Sequence, residues 1–74
     1  MLRVKHLIKI GDLIMFHLYI EDQKTPVHVS YCRRTGQIDA DRKDYEAEDY
    51  IRKALRKIES LLPRLPRSFK MTWY

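Results

Sequence analysis

The sequence predicts an α+β fold: a small antiparallel sheet, ordered β-β-β-α-β along the chain, with one amphipathic helix packed on one face. Three observations predict it. Residues 2–10, 13–21 and 27–34 carry strand patterns separated by turn residues. Residues 44–62 carry a helical apolar stripe, and strand alternation returns after Pro66.

In residues 2–10, apolar residues and His6 alternate with Arg3, Lys5, Leu7 and Lys9, a period of two. Residues 13–21 are rich in Ile, Phe, Tyr and Leu. Gly11-Asp12 between them suits a two-residue type II′ hairpin, whose first central position needs glycine. The third strand follows Pro26, which lacks a ladder donor and fits at a strand's start. Thr35-Gly36 then turns the chain.

The helix is the clearest element. Ala47, Tyr50, Ile51, Ala54, Leu55, Ile58, Leu61 and Leu62 fall on one continuous stripe. Glu46, Glu48 and Asp49 occupy the early turns and Arg56 and Lys57 the later ones, as the helix dipole favours. Glu48–Arg52 and Asp49–Lys53 are i,i+4 pairs in the favoured orientation, each worth about 0.2–0.5 kcal/mol. Asp41 or Asp44 is the N-cap, and Pro63 ends the helix. A short fourth strand closes the chain, with Phe69, Met71 and Trp73 alternating with Ser68, Lys70 and Thr72.

Seventy-four residues make one domain, residues 1–74. A domain this small buries only about 60% of the surface its unfolded chain exposes. Apolar residues make up 45% of the chain, which favours a folded globule over disorder. Cys32 is the only cysteine, so no internal disulfide forms and nothing points to an oxidising compartment. The first charge falls at Arg3, and the longest apolar-rich run, residues 13–20, contains His17. No signal peptide or membrane span is expected, and the cytoplasm is the default location.

The net charge of +5 is unevenly spread. Residues 1–34 carry six Lys/Arg against three acids, residues 35–51 two against six, and residues 52–74 seven against one. A basic C-terminal third beside an acidic belt fits an anionic partner, either nucleic acid or an acidic protein surface. A solvated helix whose charges follow its dipole produces the same distribution. Arg52, Lys53, Arg56, Lys57, Arg64, Arg67 and Lys70, with Phe69, Trp73 and Tyr74 nearby, are the candidate contacts. The cations would meet phosphates and the aromatics would stack on unpaired bases, unless they belong to the core of the last strand. The segment 63–66 matches a minimal PxxP pattern, though it also simply joins helix to strand.

The three histidines raise a question of register. A two-residue turn pairs Ile10 with Leu13, Ile8 with Met15 and His6 with His17, and places His28 opposite or diagonal to His17. His6, Met15, His17, Tyr19, His28 and Cys32 then share an open face, a candidate interface for docking or dimerisation. Ile14, Phe16, Leu18, Ile20, Val27, Val29 and Tyr31 take the face under the helix. That register also sends Val4, Ile8 and Ile10 to the histidine face and Lys5 and Lys9 under the helix. A three-residue turn would slip the pairing by one and give the more consistent core. Turn chemistry favours the first arrangement.

Catalytic and metal chemistry find little support. Three histidines and one cysteine offer zinc donors, but no C-x-x-C or H-x₃₋₅-H spacing is present and a flat sheet converges poorly on one point. Arg33 and Arg34 flank Cys32, yet strand alternation points Arg33 away from it. The Cys-x₅-Arg loop fails because position 38 is Ile. No catalytic residues, metal site or cofactor are expected. A Cys/His enzyme or metal protein ranks third among the readings.

The stretch IKIGDLIMFHLYIEDQKTPVHVSY resembles the start of a family of small prokaryotic domains of uncharacterised function. These share a strand, an acidic turn, a Pro-Pro-His-x-His-Val run and a later helix. Asp22, Pro26, His28 and Val29 match; Thr25 stands at the first proline, and the first histidine is missing. The resemblance covers about a third of the chain. It implies an α+β domain of bacterial or mobile-element origin and supplies no catalytic residues.

The residues together describe a small basic cytoplasmic binding module, without catalysis, for nucleic acid or a protein that handles it. The second reading is a protein-interaction module, inhibitor or antitoxin-like, that dimerises or docks through the open sheet face.

Overall fold

The computed structural model describes residues 1–72. The elements are β1 (Leu2–Ile10), β2 (Leu13–Ile20), β3 (Val27–Cys32), β4 (Ile38–Ala40), α1 (Tyr45–Leu61) and β5 (Phe69–Met71). They build one five-stranded antiparallel sheet in the order β4-β3-β2-β1-β5, with the helix on one face. The α+β architecture expected from the sequence is present. β4 is an addition to it: three residues after the Gly36 turn pair Ser30 with Asp39 and extend the sheet beyond β3. The helix then carries the chain from the β4 edge to the opposite edge, where β5 pairs with β1. The expected place of Trp73 in that last strand lies outside the described residues.

Gly11 takes φ +57° between Ile10 and Leu13, as the two-residue turn requires. Ile8 faces Met15 as that turn dictates, but Lys5, not His6, faces His17. His6 and Leu7 together oppose the single residue Phe16, a β-bulge with His6 in the left-handed region at φ +55°. Histidine is one of the few non-glycine residues enriched there.

The bulge removes the conflict between turn and core. It shifts the phase of β1 by one, so that Leu2, Val4 and Leu7 all lie under the helix, at 1%, 0% and 5% exposure. Val4 and Lys5 therefore depart from the uninterrupted ladder: Val4 is core, and Lys5 lies with His17 on the open side. Ile8 and Ile10 remain on the open side as expected.

The covered face joins those β1 residues to Ile14, Phe16, Leu18 and Ile20 of β2 and to Val27 and Val29 of β3. Ala47, Ile51, Ala54, Leu55 and Ile58 meet them from the helix, in the phase the stripe dictates. Tyr31, Phe69 and Met71 pack at the margin. Asp44 is the N-cap, though its side chain makes no capping hydrogen bond and instead meets Arg42 at 2.8 Å. Arg33 points away from Cys32, as strand alternation requires, and reaches Glu59 on the helix at 3.0 Å. No helix among the described residues is long and apolar enough to cross a membrane.

Candidate functional site: the open sheet face

The face of the sheet away from α1 carries the unusual side chains. His6 is aimed there by the bulge, His17 by β2 and His28, its direct ladder partner, by β3. Their rings form a row across three strands. The His6 and His17 centroids lie 4.7 Å apart with planes at 56°, and those of His17 and His28 lie 4.3 Å apart, edge to face. The three histidines therefore do share a face, as the two-residue turn leads one to expect, although the bulge sets Lys5 and not His6 directly opposite His17.

Asp41, just past β4, ends the row. It accepts hydrogen bonds from the His28 amide at 2.9 Å and from His28 Nδ1 at 2.6 Å. An ionised carboxylate can only accept, so Nδ1 is the donor in this contact. The hydrogen bonds from His28, ring first and amide second, hold the Asp41 carboxyl below its ordinary value. Partial burial, followed by the neighbouring His28 and His6, pushes the His17 pKa down, while Asp41 pulls weakly the other way. The sequence offered Asp41 only as an alternative helix cap. Without β4, nothing places it near His28.

Around the row, the face divides by chemistry. Met15 and Ser30 line an open depression of about 560 Å³ with the histidines, Ile8, Asp39 and Asp41. Towards the hairpin turn, Ile8, Ile10 and Leu13 are exposed by 50%, 62% and 38%. On the β1 side, the Arg3 guanidinium lies 4.9 Å and the Lys5 ammonium 5.4 Å from the centroid of Tyr19. Lys70 joins them as the ladder partner of Arg3. Of the residues expected to form an interface, His6, Met15, His17, Tyr19 and His28 gather here, and Cys32 lies at the far end of β3.

Cys32 lies four positions beyond His28, about 13 Å along a strand, which is too far for a nucleophile–base pair. Hydrogen bonds from Thr35, side chain then amide, hold the thiol below its ordinary value. Among the described residues, no group of three His, Cys, Asp or Glu side chains is arranged to hold a metal ion. The cause is visible in the row, since rings on successive strands line up instead of converging, and Nδ1 of His28 is already engaged.

The seven candidate cations do not form one surface. Arg52, Arg56 and Lys57 are exposed and Lys53 half-buried on the outer side of α1. Arg64 and Arg67 are exposed in the segment that follows, whereas Lys70 lies on the opposite face of the sheet. Arg52 is tied to Glu48 at 2.6 Å and Lys53 to Asp49 at 3.3 Å. Phe69 packs against the core, while Trp73 and Tyr74 lie outside the described residues.

No protein-family model matches the chain, and no curated protein or solved structure matches it significantly.

Proposed function

We propose that the protein is a cytoplasmic binding module without catalysis, and that the open sheet face is its working surface. One observation carries this reading: Ile8, Ile10 and Leu13 stand exposed beside one another on the sheet face that, among the described residues, α1 leaves bare. Contiguous apolar surface on a small domain marks an interaction site. The charged flanks and the histidine row give that surface specificity as well as area. Ile10→Glu should leave the fold unchanged, because the side chain is exposed, and should abolish capture of protein partners by the immobilised chain. Equal capture by wild type and variant would place the working surface elsewhere.

Arg56 and Lys57 favour a second reading, nucleic-acid binding through the helix. Among the described residues neither has a carboxylate partner, unlike Arg52 and Lys53 beside them. Their charge is therefore available to phosphates. Arg56→Glu with Lys57→Glu should weaken binding to all sequences alike and flatten the salt dependence by a slope of about two, since phosphate contacts carry no base information. A wild-type chain that binds neither DNA nor RNA at low salt would end this reading.

A further inference from the structure

The helix of this chain is committed to one sheet face, and among the described residues nothing covers the other. We infer that a second copy of this chain covers it, related by a twofold axis along β2, with the two histidine rows meeting between the sheets. The inference rests on the open face being the working surface.

The sheet supplies the symmetry. β2 is the middle strand of five, with Arg3, Lys5 and Lys70 to one side of it on β1 and β5. Asp39 and Asp41 lie to the other side, on and just beyond β4. A half-turn about β2 lays the cationic side of each copy over the acidic side of the other. The contact then occurs twice, as an isologous interface requires. A nucleic acid on this face would meet the two carboxylates with its phosphates, and an unrelated protein would have to reproduce the whole charge pattern. A second copy carries that pattern already.

Leu13, Met15 and His17, all on β2, approach their own counterparts along the axis, and Ile8 and Ile10 widen the apolar strip beside them. Strands about 4.8 Å apart, with residues rising about 3.4 Å, give a face of about 500 Å². Two such faces bury about 1,000 Å² together, the small end of specific interfaces, so the dimer should dissociate on dilution.

The histidines make it sensitive to acid. His17 is faced by Lys5 and His6 from β1, by His28 from β3 and by Asp41 from beyond β4, and only the last favours its charged form. Covering the face withdraws water and brings up three further imidazoles. The dimer therefore binds fewer protons than two separate chains, and acidification through the interval below the ordinary histidine value of 6.5 should separate them.

Sedimentation velocity over a dilution series of the whole chain tests this, at about pH 7.5 and about pH 5, either side of the histidine range. At the higher pH the mass should be twice the 9.0 kDa of one chain, and association should weaken by about tenfold or more at the lower. Ile10→Glu should abolish the dimer. Lys5→Glu and Asp39→Lys should each weaken it about tenfold, and the two together should restore it. His17→Gln should flatten the pH dependence. A monomer at every concentration, or a dimer indifferent to Ile10→Glu and Lys5→Glu, overturns the inference. A monomer whose capture of another protein still fails in Ile10→Glu overturns the dimer alone. A monomer whose capture ignores that substitution overturns both the dimer and the reading beneath it.

Discussion

Deletion of Leu7 should unfold the chain, whereas deletion of its neighbour His6 should leave the fold intact and slightly more stable. The two residues share one place in the ladder, opposite Phe16. Without His6, Leu7 alone faces Phe16, and residues 2–5 and 8–10 keep their present partners. Leu7 also keeps its bond to the second neighbour, since its amide already donates to the Arg67 carbonyl at 2.9 Å. The left-handed residue, which costs about 1–2 kcal/mol in an ordinary side chain, is gone. Without Leu7, the imidazole of His6 takes the core position that Leu7 fills at 5% exposure. Losing a buried leucine costs about 2–5 kcal/mol, and burying an unpartnered imidazole about 1–3 more. The whole stability of a chain this long is on the order of 4–11 kcal/mol, so little remains. Urea denaturation followed by circular dichroism checks both. Equal damage from the two deletions would mean that the bulge is needed by the fold itself.

If the fold does not need it, the bulge exists for the open face. Bulges gather where a side chain must be re-aimed, and a broken local rule with no structural return marks a functional position. His6 then stands beside His17 because an extra residue was spent to put it there.

That extra residue is also where sequence reasoning stops. The turn at Gly11-Asp12, the covered face of β2 and the phase of α1 were all legible, because each follows from local chemistry or from an uninterrupted period. In β1 the apolar residues Leu2 and Val4 are out of step with Leu7, and a strict period of two reads this slip as a choice between two registers. The chain satisfies both halves by inserting one residue between them. β4 escaped for a different reason: three residues, Ile38, Asp39 and Ala40, are too few to show a period. With it went Asp39 and Asp41, hence the acidic side of the open face and the partner of His28. The basic residues misled in a third way. Charge counted along the chain puts Lys70 with the helix cations, and only the pairing of β5 with β1 shows that it belongs to the other side of the sheet.

Phe16→Ala is expected to cost about 3–5 kcal/mol, a large part of what holds the domain together. Phe16 heads the fully buried side chains by volume, at 1% exposure, and sits opposite both bulge residues in the middle of the central strand. Its side chain fills the core under the helix, while Met15 and His17 on either side of it point to the open face. The cavity left by truncation cannot be closed from above, because the small residues facing the sheet from α1, Ala47 and Ala54, are themselves fully buried and have no volume to contribute. Phe16→Leu, which keeps most of the volume, should cost less than about 1.5 kcal/mol. The open face should follow the core: under conditions where Phe16→Leu still associates as the wild type does, Phe16→Ala should not, because the histidines lose their spacing when β2 loosens. Thermal and urea denaturation measure the first effect, and sedimentation measures the second. A Phe16→Ala chain that melts with the wild type would show that the core is not centred under β2, and that the histidine row is supported from somewhere else.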